Sequence, residues 1–178
     1  LLAEYHLATN GQWNRREQSE WINENITNLL FSVDGTDVVN NTHRPRIDRG
    51  NSYVILLNNL KQITNSKIKI TFRMTVSNYS LPYLEESISS FRSLGINNVQ
   101  IEPLMPFEVK KDIFEPAPGA FAKQYSYVKY RYSDINIFSS FDVFDQKDNH
   151  PCGHQTGNIV SLFPDGTISS CPERSTSH

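Results

Sequence analysis

Residues 67–76 read KIKITFRMTV, and this stretch decides the fold. Polar residues alternate in it with apolar ones; the polar set is Lys69, Thr71, Arg73 and Thr75, and the apolar set is Ile68, Ile70, Phe72, Met74 and Val76. Because successive side chains of a strand point to opposite sides of a sheet, the stretch predicts a β-strand with one apolar and one polar face. Two other stretches repeat the alternation: NLLFSVDG, 28–35, and INNVQIEP, 96–103.

Helical patterns lie between the predicted strands. The clearest covers residues 80–95, SLPYLEESISSFRSLG, with Ser80 as the expected N-cap and Gly95 as the expected end. Apolar spacing also predicts helices at 16–26 and 52–63, whereas 36–51 reads as a polar loop. With a further strand at 3–11, strands and helices alternate, and this order predicts parallel βαβ units.

The polar strand faces need an explanation, because parallel strands covered on both sides usually read as continuous apolar runs. A partial (β/α) barrel supplies one: helices cover the outside, and the polar residues line the inside. The alternative is an α/β sheet with one solvated face. We favour the barrel, so the predicted class is α/β with parallel strands.

The composition excludes several classes of protein. The chain has 178 residues and a net charge of -2, which gives no electrostatic case for binding nucleic acid. No apolar run approaches the ~20 residues that cross a bilayer. Two cysteines are too few for a disulfide framework, so we expect a cytoplasmic protein. The chain lacks an initiator Met and starts within a predicted strand, which indicates a piece of a longer protein.

Both cysteines lie in one stretch, CGHQTGNIVSLFPDGTISSC, residues 152–171. The segments NIVSLF and TISSC read as two short strands joined by a turn at 164–166, where Gly166 supplies the left-handed position. A hairpin would bring Cys152 and Cys171 towards one metal ion. His150 and His154 could complete a zinc site, but their spacing fits no standard finger, and solvated histidines are the favoured reading.

Several short stretches, taken in order, resemble a radical S-adenosylmethionine (radical SAM) enzyme. They are TNG at 9–11, SVDG at 32–35, HR at 43–44, GNSY at 50–53, RMTVSN at 73–78, LGI at 94–96 and VQIEPL at 99–104. The resemblance implies strands three to six of that family's six-stranded partial TIM barrel. It also implies an oxidoreductase that cleaves S-adenosylmethionine (AdoMet) with a reduced [4Fe–4S] cluster. The 5′-deoxyadenosyl radical then takes hydrogen from a substrate.

The cysteine stretch adds to this resemblance. Cys152, thirteen residues, Gly166, four residues and Cys171 resemble the opening of the SPASM extension that follows the barrel in one branch of the family. The resemblance implies that both cysteines are metal ligands of an auxiliary iron–sulfur cluster, which needs four thiolates. The implied organisation is barrel at 1–104, connecting segment at 105–149 and start of the SPASM-like module at 150–178.

The chain departs from the family in its cluster ligands. The three-cysteine motif Cys-x3-Cys-x2-Cys, which holds the catalytic cluster, is absent, as are the later SPASM cysteines. We therefore expect the chain as given to be inactive, with no cofactor necessarily bound, and to represent part of a larger active enzyme. A natural pseudoenzyme is the lesser alternative.

The resemblance implies AdoMet contacts for two residues on the polar strand face. Arg73 would bind the carboxylate of AdoMet, and Ser32 its carboxylate or ribose. Each has a structural alternative: Ser32 is equally a cap of the following turn, and Arg73 equally a partner of Glu102 on the neighbouring strand.

Five further residues are weaker candidates for cofactor binding. Thr75 and Asn78 fall where the family's segment lies near the nucleoside, although Asn78 is equally a helix cap. Asp34 and Asn10 read first as turn residues, and Arg44 as a solvated loop arginine. No catalytic residue is assigned.

The family frequently modifies peptides or proteins, so a peptide or protein is the expected substrate and partner. Neither a nucleic acid nor a membrane is expected as a partner, and the sequence does not fix the oligomeric state. The competing reading is a non-catalytic α/β domain that binds a nucleotide or a peptide.

Overall fold

The computed structural model describes residues 4–105, 112–140 and 142, together with 161–162 and 166–169. Its contacts divide the chain into two units, 1–139 and 140–178. Among the helices described, none is both long and apolar enough to cross a bilayer. The sites discussed below all belong to the first unit.

Five strands form one sheet in the order β1-β2-β3-β4-β5. They are β1 His6–Thr9, β2 Asn28–Ser32, β3 Lys69–Val76, β4 Asn98–Pro103 and β5 Asn136–Phe138. Every neighbouring pair is parallel, as the alternation of strands and helices predicts. Because the order in the sheet equals the order in the sequence, the chain adds each new strand at the same growing edge.

The connections between these strands carry the helices. They are α1 Arg16–Asn25, α2 Asp37–His43, α3 Ser52–Leu60, α4 Leu84–Ser93 and α5 Pro118–Arg131, with a 3-10 turn at Leu81–Tyr83 before α4. The segment 105–149, read from the sequence as a connection, thus contributes both α5 and β5 to the first unit. The boundaries of the three predicted domains stay a prediction.

The helices cover the apolar face of the sheet. Phe72 of β3 lies between two aromatic rings, with centroid distances of 6.0 Å to Phe31 of β2 and 5.0 Å to Phe91 of α4. All three are fully buried and belong to one core cluster with Leu56 of α3 and Val128 of α5. Burying such side chains is the main favourable contribution to folding.

The prediction of a polar loop at 36–51 is wrong in part, because this segment contains α2. Asparagine is a weak helix former, which is why the asparagine-rich sequence reads as a loop. Val39 and Asn40 of α2 are nevertheless buried, and Asn40 accepts a hydrogen bond from the Asp34 N–H at 3.0 Å. Packing against the sheet therefore outweighs the low helical propensity.

The helix predicted at 80–95 is confirmed at its end and differs at its start. Gly95 has φ 79°, and the N–H groups of Gly95 and Ile96 bond the carbonyls of Arg92 and Phe91 at 3.0 and 3.1 Å. This is the Schellman arrangement expected for a terminal glycine. At the start, the hydroxyl of Ser80 is not a helix cap but accepts the Ser77 N–H at 2.8 Å.

In the second unit, β6 Ser161–Leu162 and β7 Ile168–Ser169 pair antiparallel. Ser161 faces Ser169, and Leu162 faces Ile168. Gly166, in the turn between them, has φ 84°, a value that suits glycine and strains other residues. The predicted hairpin is confirmed for these residues.

Candidate functional site

The parallel register aligns the polar faces of β2, β3 and β4 into rows. Ser32, Arg73 and Gln100 are successive partners in one row, and Thr75 pairs with Glu102 in the next. The buried apolar residues of the same strands occupy the opposite face. The prediction that these polar residues share one face is therefore confirmed. The rows lie at the carboxyl ends of the strands, where α/β barrels bind their ligands.

Arg73 lies in the middle of this face and is exposed. In the part of the chain that the structure describes, its guanidinium makes no hydrogen bond or ion pair. Glu102, the partner that the structural alternative proposed, binds instead the Gln100 amide at 2.8 Å and the Ser139 hydroxyl at 3.3 Å. The guanidinium is thus available for an external anion. Ser32 lies beside Arg73, half-buried at the end of β2.

Asp34 forms the centre of a buried polar cluster above the rows. Its Oδ1 accepts the Thr75 N–H at 2.9 Å and Arg44 Nη2 at 3.1 Å. Its Oδ2 lies 2.8 Å from Arg44 Nε, a charge contact without hydrogen-bond directionality, and 3.5 Å from His43 Nδ1. Asp34 therefore joins the ends of β2, β3 and α2.

The charge state of Asp34 follows from this cluster. Burial raises the pKa of its carboxyl, but the nearby imidazole of His43, the charge and hydrogen bond of Arg44 and the Thr75 N–H together outweigh burial. The net result is a pKa below the ordinary value, so Asp34 is ionised at neutral pH. Arg44 is correspondingly a paired, partly buried residue, and the reading of a solvated loop arginine is wrong.

The cluster continues from His43 to Ser77, which follows β3. His43 Nε2 lies 2.9 Å from Ser77 Oγ, and Ser77 Oγ also accepts the N–H groups of Tyr79 and Ser80, both at 3.2 Å. The ring of Tyr79 lies against the imidazole at a centroid distance of 6.0 Å. A buried chain of hydrogen-bonding groups thus runs from Asp34 through His43 to Ser77.

Two cavities flank Arg44 at this edge of the sheet. One, of about 260 Å³, is lined by Asp34, His43, Arg44, Thr75, Ser77, Leu104 and Ile113. The other, of about 480 Å³, is lined by Asn10, Gln12, Asn40, Arg44, Pro45, Arg46, Ile47, Asp48 and Ser52. Five of the seven predicted cofactor-binding residues therefore lie in the polar rows or around the smaller cavity: Ser32, Asp34, Arg44, Arg73 and Thr75.

The other two candidates have structural contacts. Asn10 accepts the Gln12 N–H at 3.1 Å within its turn and also lines the larger cavity. The Asn78 N–H donates to the Phe114 carbonyl at 2.9 Å, and the Phe114 N–H donates to the side-chain oxygen of Asn78 at 2.8 Å. It therefore fastens the segment after β4 and does not cap a helix.

The alternation in 96–103 places Gln100 on the polar face, but sequence reasoning missed His43 and Ser77 as members of the site. The period of β3 could have indicated Ser77, which continues the polar positions 73 and 75. His43 lies in the HR stretch at 43–44, but local spacing does not indicate its contacts, because they reach Asp34 and Ser77, the latter 34 positions away in the sequence.

The residues of this chain suit one of the two cofactors that the resemblance implies, AdoMet, but not the other, the iron–sulfur cluster. The exposed Arg73 guanidinium, which no residue of the described part pairs with, lies beside a serine and an amide and suits the carboxylate of AdoMet. A four-thiolate cluster does not fit this chain by itself, because its sequence has two cysteines. Cys152 and Cys171 lie outside the described residues, and among those described no three His, Cys, Asp or Glu side chains group as metal ligands.

Solved structures show which known proteins share this architecture. No protein-family model and no curated protein sequence matches the chain. The anaerobic sulfatase-maturating radical SAM enzyme anSMEcpe, with bound AdoMet and Kp18Cys peptide, matches with TM-score 0.75 and 15% identity over 97% of this chain and 52% of that one. Native anSMEcpe with AdoMet and Cp18Cys peptide gives TM-score 0.73, 15% identity and coverages of 97% and 52%.

A smaller protein shares the fold as well. A domain of pyruvate-formate lyase-activating enzyme from Bacteroides vulgatus matches with TM-score 0.55 and 13% identity, over 76% of this chain and 80% of that domain. The chain spans about half the length of anSMEcpe in these matches. At such identities the likeness concerns the fold, and it confirms the partial barrel expected from the polar strand faces. The chain thus has the radical SAM fold.

Proposed function

We propose that this chain forms the AdoMet-binding half of a radical SAM enzyme that modifies a peptide or protein. The observation that carries the proposal is the exposed Arg73, which has no ion-pair partner among the described residues, in the polar row of a sheet with the radical SAM fold. The matching anSMEcpe structures hold AdoMet together with the Cp18Cys or the Kp18Cys peptide, which supports the choice of cofactor and substrate class.

In this proposal Arg73 binds the carboxylate of AdoMet through its two-pronged guanidinium. Ser32 and Gln100, its partners in the row, donate further hydrogen bonds on either side. Asp34 holds Thr75 by its N–H and so fixes the end of β3. When bound, AdoMet would supply the means of removing hydrogen from a substrate, and this chain would orient AdoMet and exclude water.

Binding of AdoMet to the whole chain, measured by calorimetry, tests the cofactor. We expect Arg73→Ala to weaken binding by roughly 10–100-fold, since a charge-assisted hydrogen bond contributes about 1.5–3 kcal/mol. Lys69→Ala is the matched control: Lys69 is exposed on the same face of β3 but at its amino end. Equal affinities for Arg73→Ala and the unaltered chain would contradict the proposal.

The proposal also predicts how the chain behaves without the cluster ligands that it lacks. With two cysteines, the chain should not cleave AdoMet after anaerobic reconstitution with iron and sulfide. Release of 5′-deoxyadenosine is the measurement, and turnover by the chain would show that its ligands are misread. The assignment of 150–178 to a SPASM-like module, with Cys152 and Cys171 as metal ligands, belongs to this proposal.

A non-catalytic binding domain is the second candidate, and the cysteine count favours it. Such a domain would keep the polar face for a nucleotide or peptide without any cluster. A gene that encodes Cys-x3-Cys-x2-Cys upstream of Leu1 would favour the enzyme, and one without it the binding domain.

A further inference from the structure

The larger of the two cavities, of about 480 Å³, takes no part in the arrangement proposed for AdoMet. One of its walls is the turn after β1, and another is the loop 44–50 between α2 and α3. Arg44 lines both this cavity and the smaller one, so the two cavities adjoin each other. A cavity of this volume is large enough for a ligand.

The guanidinium groups on the wall of the larger cavity are already balanced by carboxylates. Arg46 donates to the two carboxylate oxygens of Asp48, from Nε at 2.8 Å and from Nη2 at 2.6 Å. Arg44 lies 2.8 Å from Asp34 through Nε and donates to it from Nη2 at 3.1 Å. Within the part of the chain that the structure describes, no other charged side chain lines the cavity. The wall is therefore close to neutral and does not compensate the desolvation of a charged ligand.

The same wall has hydrogen-bond donors to spare. The side-chain oxygen of Asn10 accepts the Gln12 N–H at 3.1 Å, whereas the Asn10 Nδ2 bonds no described residue. Arg44 uses Nε and Nη2 towards Asp34, and its Nη1 bonds no described residue either. Spare donors on a neutral wall suit the carbonyl oxygens of an uncharged amide.

The loop 44–50 is fixed by contacts at both of its sides. Gln12 connects it to the start of α3, because Gln12 Nε2 donates to the Ser52 carbonyl at 2.7 Å and Oε1 accepts from Arg46 Nη1 at 3.1 Å. Asp48, the partner of Arg46, also accepts the Gly50 N–H at 2.9 Å. The loop is thus ordered before a ligand arrives, which reduces the entropic cost of binding.

The tip of this loop is an apolar side chain that the described part of the chain leaves uncovered. Ile47 lies between the paired residues Arg46 and Asp48, lines the cavity and is fully exposed. Arg49 has φ 59°, a left-handed conformation that is uncommon for a residue other than glycine and is typical of ligand-binding segments. An apolar tip outside a polar cavity suits an extended ligand that continues over the surface, as a peptide does.

We propose that this cavity binds an uncharged segment of the peptide substrate. Carbonyl oxygens of the peptide backbone or of a carboxamide side chain accept hydrogen bonds from Asn10 Nδ2 and Arg44 Nη1, and a neighbouring apolar side chain packs on Ile47. The inference rests on the proposed function for the peptide, and it adds where the peptide binds and that the bound segment carries no charge. The cavity positions the peptide, and no bond is made or broken there.

Three blocked pentapeptides test the site: acetyl-Gly-Leu-Gln-Leu-Gly-amide, and the same peptide with Glu or with Lys in place of Gln. Each is titrated into the whole chain without AdoMet. NMR follows the methyl groups of Ile47 and the side-chain amide of Asn10, which are assigned by their loss in Ile47→Ser and Asn10→Asp. The glutamine peptide should bind roughly tenfold more tightly than either charged peptide, because the neutral wall does not offset the burial of a charge.

Two variants separate the two contacts. Ile47→Ser should weaken binding of the glutamine peptide by roughly threefold to tenfold, because it removes the apolar contact. Asn10→Asp keeps the oxygen that accepts the Gln12 N–H but replaces the donor with a negative charge, so it should reverse the preference towards the lysine peptide. A merely structural role of Asn10 would not produce this reversal.

Val38→Ser is the matched control for Ile47→Ser. Val38 is a β-branched residue of α2 that is 64% exposed and does not line the cavity, so this variant should bind the glutamine peptide like the unaltered chain. Thermal unfolding checks that all three variants fold.

Four results overturn the inference: no binding at millimolar peptide, equal affinities for the three peptides, binding that leaves the Ile47 and Asn10 resonances unchanged, or an unaltered preference in Asn10→Asp. These results differ from a failure of the proposed function, which AdoMet binding and Arg73→Ala decide. A chain that binds AdoMet but not the glutamine peptide keeps the proposed cofactor and lacks this site. A chain that binds the glutamine peptide but not AdoMet has this site and lacks the proposed cofactor.

Discussion

At the scale of single residues, Asp34 is an ionised carboxylate inside the protein. Its oxygens contact Arg44, the Thr75 N–H and His43, and these partners compensate the loss of hydration. A carboxylate whose folded pKa is lowered stabilises the fold above its unfolded pKa, and this contribution is lost as the pH falls through the folded pKa. The cluster should therefore stabilise the protein at neutral pH.

Asp34→Asn should lower the free energy of unfolding at pH 7 by about 1–3 kcal/mol, a range reduced for the partial exposure of Arg44. The difference from the unaltered chain should stay constant down to about pH 4 and shrink below it, where the carboxylate becomes protonated. Urea unfolding across this pH range measures both effects.

Asp134→Asn is the control for this prediction, because Asp134 pairs with Arg92 at the surface, with 54% and 56% of the side chains exposed. It should cost less than about 1 kcal/mol. If both substitutions lowered the free energy of unfolding equally, the buried position of Asp34 would add nothing to its contribution to stability.

Gly11 and Gly95 illustrate two different physical reasons why a position in this chain requires glycine. Both have positive φ, 72° and 79°, but a Cβ at Gly11 would lie 2.9 Å from Leu56 Cγ, whereas at Gly95 nothing lies within 4 Å. Gly95→Ala should cost about 1–2 kcal/mol from backbone strain. Gly11→Ala should cost about 1–3 kcal/mol more from crowding, and thermal unfolding of both variants compares them.

The sequence could predict residues of the site only where local spacing carries the information. The period of two in 67–76 placed Arg73 and Thr75 on the face that the structure gives them. It could not predict that Arg44 binds Asp34, or that His43 meets Ser77, because these pairs depend on how α2 packs over the strand ends.

At the scale of secondary structure, β3 illustrates the two faces of the sheet. Phe72 is fully buried among aromatic rings, while its neighbour Thr71 is half-buried on the polar face. Phe72→Ala should cost about 3–5 kcal/mol, since it removes a large core side chain and leaves a cavity. Thr71→Ala should stay within about 0.5–1 kcal/mol. Chemical unfolding measures the two losses of stability. Similar losses for Phe72→Ala and Thr71→Ala would contradict the assignment of the apolar and polar faces.

Elements that the sequence failed to indicate share a physical reason. α2 has weak helix formers and depends on burial of Val39 and Asn40, and β5 has three residues, too few for a period to be recognised. In contrast, β3 and α4 carry eight and ten residues of clear pattern. Long amphipathic elements can thus be predicted from the sequence, whereas elements that depend on tertiary contacts cannot.

At the scale of the whole molecule, the distance between the two cysteines tests the SPASM-like reading of the second unit. β6 and β7 pair antiparallel, and Cys171 follows Ser169 by two positions, while Cys152 precedes Ser161 by nine. We predict that the two thiols lie close together and stay reduced in the cell as half of a metal site. Dibromobimane, which fluoresces after bridging two thiols, should label the reduced chain, and Cys152→Ser should abolish the fluorescence. Absence of bridging would contradict the SPASM-like reading.

The sequential order of the strands also bears on how the polypeptide folds during synthesis. Each strand of the sheet pairs with the strand before it, so every new βα unit finds its docking partner already outside the ribosome. Translation adds about 5–20 residues per second, slower than the microsecond steps of helix and loop formation. The sheet can therefore assemble in the order in which it is translated, without waiting for a distant strand.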